Sequence, residues 1–505
     1  MSPAARPVRA EQKVSGIVLP PRPAIYEINT RLWLRELSRQ YGRPITLANV
    51  PGEVWDAIAG FRFDAVWLMG VWQPSPAGLA IVLARQSWLA LCSAALPDMR
   101  PEDIAGSPYC VRNYETDQAL GGRDGLAKAR AELAERGMAL ILDFVPNHVA
   151  FDHPWLDSHP DYFIHGTADE LAAAPEEFFK TGDQIIARGR EPSFASWPDV
   201  AQLNAFNPDL RAAVVETLLD IAGQADGVRC DMAMLMVTEV FTRTWGERAG
   251  PPPKEEYWRE IIPAVREQYP DFRFIAEVYW DMEWQIQQQG FDFCYDKLLY
   301  DRLIHAPAAS VREHLSADIT YQDHLLRFIE NHDEPRAASL FRAGRALTAA
   351  VATYTLPGAK LFYQGQFEGY TTHIPVFLTR RPDEPPDRAL FAFYRRLVNE
   401  IQKPALREGH WLLCALNGWP DNTSYNNLAA WCWQAGDDRR VIVVNLSGST
   451  SQARVQLPWP DLAGQNWLFV DVMDETTYEW NGDEVLNMGL YVELAPWGHH
   501  FFAVR

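Results

Sequence analysis

The chain lacks the features that mark a disulfide-rich secreted domain, a zinc-binding module or a membrane protein. Its 505 residues include only six cysteines and no CxxC pair, so neither a disulfide framework nor a cysteine metal site is indicated. No apolar stretch reaches the roughly 18 residues that a membrane-spanning helix needs. Residues 1–21 contain no apolar segment of the kind found in a secretory signal. We therefore expect a cytoplasmic protein with no membrane partner.

Positive charge is also scarce. Lys and Arg number 46 against 66 Asp and Glu, which gives a net charge of −20. Because nucleic-acid binding depends on clustered Lys and Arg, we expect no nucleic-acid partner. The same balance disfavours a polyanionic substrate. The sequence leaves the oligomeric state open.

What the chain does contain is an alternation of short apolar runs and amphipathic helical patterns between about residues 25 and 401. The runs have the length of strands buried on both faces of a parallel sheet. They are Ile25–Leu34, Ala65–Val71, Met138–Phe144, Gly227–Cys230, Phe272–Val278, Phe291–Tyr295, Leu325–Ile329 and Lys360–Tyr363. Eight strand–helix repeats of this kind predict an α/β fold, a (β/α)8 TIM barrel.

Two further segments have a different character. Residues 149–205, after the third strand, are rich in Pro, Asp, His and aromatic residues and show little periodicity, which predicts an inserted loop domain. After Pro404, short β-like runs separated by Asn, Gly, Asp and Ser turns predict a C-terminal antiparallel β-sandwich. We therefore divide the chain into barrel (1–148), insertion (149–205), barrel (206–404) and β-sandwich (405–505).

Four apolar runs lead into an acid, namely Asp143, Asp231, Glu277 and Asp333. Carboxylates at the ends of barrel strands lie at the mouth, where such enzymes place their chemistry. Arg229 stands two residues before Asp231, so both side chains point to the same face, and the guanidinium favours the ionised carboxylate. Cleavage of a glycosidic bond needs such a set, because one acid protonates the leaving oxygen while a carboxylate acts on the opposite face of the sugar.

Taken in order, these segments resemble the signature motifs of the α-amylase family of glycoside hydrolases (family 13). The matching residues are Asp143…Asn147-His148, Gly227-Val228-Arg229-Cys230-Asp231, Ala276-Glu277-Val278 and Asn331-His332-Asp333, flanked by Ser107-Pro108-Tyr109, Gln202-Leu203-Asn204 and Pro357-Gly358. The resemblance extends from about Ile25 to the C-terminus. Any one motif is unspecific, but their joint occurrence in this order is typical of the family.

The resemblance implies a role for each residue. Asp231 corresponds to the nucleophile and Glu277 to the acid/base, while Asp333 is expected to hold the sugar's 2- and 3-hydroxyls. For Asp143 we expect a structural role at the barrel mouth. The further substrate-binding residues that the resemblance implies are Tyr109, His148, Arg229 and His332.

The chain departs from the family's usual pattern just after the nucleophile. Typical members carry a Lys-His pair there, the Lys contacting sugar beyond the cleavage point and the His carbonyl helping to hold calcium, whereas this chain has Met234 and Leu235. Asn147 matches the family's calcium-ligand Asn, so a structural Ca²⁺ is a possible cofactor, but we expect none to be required. The segment Trp280–Trp284 follows the acid/base strand, and its two Trp side chains are expected either to shape the leaving-group side or simply to pack their loop.

The resemblance favours a retaining glycoside hydrolase acting on α-glucosidic bonds of α-glucans, oligosaccharides or small α-glucosides. The expected partner is therefore an α-linked, glucose-containing saccharide. An α-glucan transglycosylase is the alternative, since it would use the same acids and differ only in whether water or sugar intercepts the glycosyl-enzyme. A non-catalytic sugar- or partner-binding barrel is a more remote alternative, because all three acids are present.

Overall fold

The computed structural model describes residues 16–341 and 344–505. Residues 1–15, which hold most of the segment inspected for a secretory signal and the start of the 1–148 unit, lie outside the described residues. Within the described ranges no single helix is long and apolar enough to cross a membrane. One pair of helices, Pro76–Ala84 and Gln86–Ala95, bent by 84°, passes together on length and composition.

The centre of the molecule is a closed, eight-stranded parallel barrel, as the strand–helix alternation predicts. Its strands, in chain order, are β1 (Ala24–Asn29), β2 (Ala65–Met69), β3 (Ala139–Phe144), β4 (Gly227–Cys230), β5 (Arg273–Ala276), β6 (Phe293–Tyr295), β7 (Leu325–Arg327) and β8 (Ala359–Tyr363). Each strand pairs with the next, and β8 closes on β1. The turn before β8 needs glycine, because Gly358 has φ +88° and a Cβ there would collide with the carbonyl oxygen of Leu325.

Helices surround the barrel, and further helices lie within the segments that connect its strands. Those of eight residues or more are Thr30–Tyr41, Gly52–Ala59, Pro76–Ala84, Gln86–Ala95, Gly122–Glu135, Pro208–Gln224, Thr238–Trp245, Tyr257–Arg266, Lys297–His305, Ala308–Leu315, Arg345–Tyr354 and Arg388–Ile401. Helix Pro208–Gln224 begins where Asn207 caps it, the Asn207 side chain accepting from the Asp209 and Leu210 amides at 2.8 and 3.1 Å.

The first predicted strand is too long. The run Ile25–Leu34 splits after Asn29, whose side chain accepts a 3.3 Å hydrogen bond from the Leu32 amide and so caps helix Thr30–Tyr41. The apolar residues of that helix are buried against the barrel, which is why the apolar run continues across the boundary. A continuous apolar run does not distinguish a buried strand from the first turn of a buried helix.

The insertion after β3 is built from short elements. Strands His148–Ala150 and Val200–Gln202 pair antiparallel at its base, and Phe178–Thr181 forms a hairpin with Gln184–Ala187. Its short helices are Trp155–Ser158 and Ala168–Ala173. Few of these elements are long enough to produce a period, which explains why the sequence shows none.

The C-terminal region consists of two antiparallel sheets, as predicted. The six-stranded sheet contains His410–Leu413, Leu428–Ala435, Asp438–Asn445, His499–Val504, Asn466–Asp471 and Thr477–Asn481, and the three-stranded sheet contains Leu416–Asn417, Ser451–Val455 and Leu490–Leu494. Trp431 and Trp433 alternate with Cys432 along one strand, so both indoles face the barrel, where they donate to the hydroxyl and carbonyl oxygens of Thr355 at 3.2 and 2.7 Å. The sandwich is therefore joined to the barrel through buried contacts.

Candidate active site

A single buried guanidinium organises the mouth of the barrel. Arg229, on β4, is only 1% exposed, and its Nη1 donates to Asp231 Oδ1 at 2.7 Å. Its Nη2 lies 2.7 Å from Glu277 Oε2, at the end of β5, and 3.9 Å from Asp333 Oδ2. Asp143, the register partner of Arg229 on β3, has Oδ1 3.7 Å from Nη1. One cation thus joins all four strand-end acids that the sequence singles out.

Glu277 is held by donors on both of its oxygens. The Met232 amide donates to Oε2 at 2.7 Å, and the Tyr279 hydroxyl donates to Oε1 at 2.6 Å. Met232 has φ +45°, a backbone conformation that residues other than glycine rarely adopt. This strained turn points the Met232 amide at the Glu277 carboxyl. Burial raises the pKa of Glu277 to about 7; Arg229 opposes this rise, whereas Asp231 adds to it. Glu277 can therefore carry a proton at neutral pH.

The pKa of Asp231 moves in the direction opposite to the sequence-based expectation. Burial raises it above its ordinary value, although the ion pair and hydrogen bond from Arg229 act to lower it. The guanidinium was expected to dominate, but Arg229 is shared with Glu277 and lies near two further acids. Two acids of the site nevertheless differ widely, since burial raises the pKa of Glu277 to about 7 while His332 and Arg229 lower the pKa of Asp333 to about 2.

Asp333 and His332 form a second charged pair opposite the first. His332 Nε2 lies 2.8 Å from Asp333 Oδ2 and 2.6 Å from the Tyr109 hydroxyl, and its Nδ1 lies 2.5 Å from Glu27 Oε1. Burial acts to lower the pKa of His332, but Asp333 and Glu27 raise it well above its ordinary value, so the imidazole is cationic. Enclosure acts to raise the pKa of Asp333, yet His332 and Arg229 lower it to about 2. The Asp333 side chain, 41% exposed, is the ionised acid that faces the open cleft.

His148, unlike the cationic His332, is uncharged. Burial lowers the pKa of its imidazole to about 3, so the ring is neutral. The Asn147 amide nitrogen lies 3.3 Å from Nδ1, an arrangement that leaves Nδ1 as the acceptor. The ring packs 5.0 Å from the indole of Trp197 in the insertion.

These residues surround a cleft of about 330 Å³, a size suited to a small saccharide. The predicted residues that line it are Tyr109, His148, Asp231, Glu277 and Asp333, whereas Arg229 and His332 lie behind them and support them. The other lining residues, which sequence reasoning did not select, include Trp88, Glu191, Trp197, Met232, Tyr279 and Phe377. The arrangement pairs a protonated acid with carboxylates across a space of sugar size, and it is suited to cleaving a glycosidic bond.

Comparison with known proteins identifies the family. A family model described as the α-amylase catalytic domain matches residues 55–384, more than half of the chain. This chain belongs to the α-amylase family.

Its relatives in the α-amylase family include both hydrolases and transferases. The α-amylase MalA of Haloarcula japonica is 24% identical over 273 residues, which are 52% of this chain and 37% of MalA. An α-1,4-glucan:maltose-1-phosphate maltosyltransferase of Rhodospirillum rubrum is 27% identical over 280 residues, 54% of this chain and 34% of that protein. The chain spans between about a third and just under two-thirds of the length of the curated relatives it matches.

A solved structure supports the fold over nearly the whole chain. The maltogenic α-amylase AmyB of Thermotoga neapolitana superimposes with a TM-score of 0.67 at 17% identity, covering 96% of this chain and 99% of AmyB. At this identity the likeness concerns the fold alone.

Asn147, the calcium ligand that the resemblance implies, makes hydrogen bonds to the insertion. The Asn147 carboxamide is already bonded to Gln202, accepting from its Nε2 at 2.9 Å and donating to its Oε1 at 3.2 Å. Within residues 16–341 and 344–505 there is no group of three His, Cys, Asp or Glu side chains placed to hold a metal ion. These hydrogen bonds tie Asn147, just after β3, to the insertion, and we propose that the protein needs no calcium ion.

We expect that EDTA will leave the melting temperature and the activity of the purified protein unchanged. A calcium ion held at 100 times its Kd would contribute about 2.7 kcal/mol, so its removal would lower Tm by several degrees. Thermal unfolding with EDTA, and with EDTA followed by excess calcium, measures this. A calcium-reversible fall in Tm would contradict the expectation.

The Trp280–Trp284 segment directly follows Tyr279, which lines the cleft. Trp280 and Trp284 are 40% and 53% exposed, and neither is among the residues that line the cleft. Trp284 packs 6.3 Å from the ring of Tyr321 instead. The aromatic faces of the site come from Trp88, which stacks 4.9 Å from Phe377, and from Trp197.

Proposed function

We propose that this chain hydrolyses α-glucosidic bonds of oligosaccharides, α-glucans or small α-glucosides with retention at the anomeric carbon. The observation that carries the proposal is the shared guanidinium of Arg229, whose two terminal nitrogens lie 2.7 Å from oxygens of Asp231 and Glu277, while burial raises the pKa of Glu277 to about 7. The remaining features of the site are consistent with this chemistry, since Asp333 presents an ionised carboxylate and Tyr109 an aromatic ring to the same cleft.

In this mechanism Glu277 supplies the proton and Asp231 the electron pair. Oε2 of Glu277 faces the Arg229 guanidinium and the Met232 amide, which favour negative charge there, so the acidic proton sits on Oε1. As that proton moves to the glycosidic oxygen, the bond from oxygen to the anomeric carbon breaks, and Asp231 forms an ester at that carbon. Glu277, now ionised, takes a proton from water, which attacks the ester and releases the sugar and the Asp231 carboxylate.

The proposal of retention is supported by the arginine that the two acids share. Inverting enzymes need about 6.5–9.5 Å between their carboxyls to admit a water, whereas retaining enzymes bring them to about 5–5.5 Å. A guanidinium that lies 2.7 Å from an oxygen of each acid favours the shorter separation. The rival function, transfer of the glycosyl group to a sugar, is favoured by the maltosyltransferase among the relatives and uses the same two acids.

Product analysis distinguishes these functions. Purified protein is incubated with maltose, maltotriose, isomaltose, trehalose, sucrose and starch, and products are followed by chromatography and by NMR of the anomeric proton. We expect release of the α-anomer of glucose or of a short oligosaccharide. Products longer than the substrate would establish transglycosylation, initial release of the β-anomer would exclude retention, and no turnover of any α-glucoside would refute the proposed function.

A further inference from the structure

The leaving-group side of the cleft lacks the cation that the family usually supplies there. Met234 and Leu235, at the positions of the Lys-His pair, are 0% and 3% exposed and pack in the core, so neither side chain reaches the sugar. Among the described lining residues there is no Lys or Arg. A different side chain must therefore contact a sugar that leaves from this side.

Glu191, from the insertion, lines the same cleft and extends from a fixed loop. Its loop is closed by backbone hydrogen bonds, the Trp197 amide to the Gly189 carbonyl at 2.7 Å and the Gly189 amide to the Val200 carbonyl at 3.0 Å. The preceding residue, Arg190, is fixed by three contacts: its side chain pairs with Glu177 at 2.8 Å, donates to the Thr244 carbonyl at 3.1 Å and lies 4.8 Å over the ring of Trp245. These contacts fix the backbone from which Glu191 extends.

The Glu191 carboxyl itself has no hydrogen-bond or ion-pair partner within the described residues, although it lines the cleft. Burial raises its pKa to about 7, and Glu277 followed by Asp231 adds to this rise. Glu191 and Glu277 line the same cleft, so Glu191 can contact a sugar whose oxygen Glu277 protonates. A fixed, partly buried carboxyl without a protein partner is suited to binding a ligand hydroxyl.

A second carboxyl of the insertion has the same property. Asp199 is only 5% exposed and lines the cleft, and among residues 16–341 and 344–505 its carboxyl has no hydrogen-bond partner other than its own backbone amide. Burial raises its pKa to about 6. The lining of the cleft therefore presents acidic side chains from the insertion as well as from the barrel, with no cation to accept a phosphate.

We propose that Glu191 is the residue that binds the leaving-group sugar, in place of the family's lysine, and that it restricts this subsite to saccharides without an anionic group. This inference rests on the proposed function and deepens it. Glu191 accepts hydrogen bonds from the hydroxyls of the departing sugar, while Trp197, from the same loop, offers an apolar face to the ring. A phosphorylated leaving-group sugar would meet acidic side chains in a lining whose described residues include no Lys or Arg.

The first experiment compares two substrates that differ only in the leaving group. Glu191→Ala should lower kcat/KM for maltose about 10- to 100-fold, the usual range for losing hydrogen bonds to a charged group. The same variant should keep its rate on α-glucosyl fluoride within about twofold of wild type, because fluoride does not occupy the sugar subsite. Glu191→Gln should fall between wild type and Glu191→Ala on maltose. Glu176→Ala, an exposed glutamate of the same insertion, is the matched control and should match wild type on both substrates.

The outcomes separate this inference from the proposed function. If wild type cleaves neither substrate, the proposed function fails. If wild type cleaves both and Glu191→Ala cleaves maltose normally, only the role of Glu191 fails. An equal loss on both substrates would show that Glu191 supports the catalytic acids rather than the sugar, and would also overturn the inference.

The second experiment tests the charge preference directly. Wild type should cleave maltose at least about tenfold faster, in kcat/KM, than maltose phosphorylated on its reducing sugar. Glu191→Lys should narrow this ratio by improving the phosphorylated substrate. Equal rates for both substrates in wild type, or an unchanged ratio in Glu191→Lys, would contradict the inference.

Discussion

Glu277→Gln is expected to lower kcat for maltose by about 10²- to 10⁴-fold, the usual contribution of a general acid. The amide keeps the shape of the side chain: its oxygen can still accept from the Met232 amide, and its NH2 group can donate to the Tyr279 hydroxyl oxygen, but it has no acidic proton to give to the glycosidic oxygen. On α-glucosyl fluoride, whose leaving group needs little protonation, the loss should be much smaller. Steady-state kinetics on the two substrates measure the difference.

The pH profile gives an independent check on the same residue. Glu277 acts as the acid only while protonated, and its pKa in the folded protein is about 7. Activity should therefore fall as pH rises through about 7, whereas an ordinary glutamate would give a limb near 4.3. Glu283 is the matched control, because burial also raises its pKa to about 7 although it does not line the cleft. Glu283→Gln should still lose activity as pH rises through about 7. If this fall persisted in Glu277→Gln and vanished in Glu283→Gln, Glu283 and not Glu277 would be the general acid.

The barrel and the position of its acids could be predicted because both depend on local patterns. Strands buried on two faces read as continuous apolar runs, and the chain can place an acid at the barrel mouth only where such a run ends. The relation between Arg229 and Asp231 follows from the two-residue period of a strand, and the structure has them 2.7 Å apart. The same rule, applied to Glu277, selects Tyr279, which the sequence analysis overlooked.

Other features of the site depend on contacts between distant segments. Glu27 is a charged residue in the middle of the buried strand β1, and such a residue needs a partner. Its partner is His332, 305 positions away, and no local pattern specifies that pairing. Glu191 lies in an insertion without periodicity, so only the fold brings it to the cleft. The sequence leaves the role of the two Trp side chains in the Trp280–Trp284 segment open for the same reason, since their position after β5 does not decide which way their loop turns.

The balance of charge at the site explains why these distant residues are needed. Arg229 alone faces several acids, and burial raises the pKa of each of Asp143, Asp231 and Glu277 in spite of it. The cationic His332, made so by Glu27 and Asp333, supplies the second positive charge. Arg229 and His332 therefore affect the acids of the site unequally: the pKa of Asp333 is lowered to about 2, whereas that of Glu277 is raised to about 7.

Asp231→Asn is expected to reduce turnover of maltose and of α-glucosyl fluoride alike by several orders of magnitude, because both substrates need the covalent step. This pattern distinguishes Asp231 from Glu277, because Glu277→Gln should retain most of its turnover of α-glucosyl fluoride. The measurement that identifies the nucleophile is mass spectrometry after incubation with a slowly turned-over fluorinated α-glucosyl fluoride. Wild type should gain the mass of one glycosyl group, located after proteolysis on the peptide that contains Asp231, and Asp231→Asn should gain none. A label on another acid, or labelling that persists in Asp231→Asn, would show that a different carboxylate attacks the sugar.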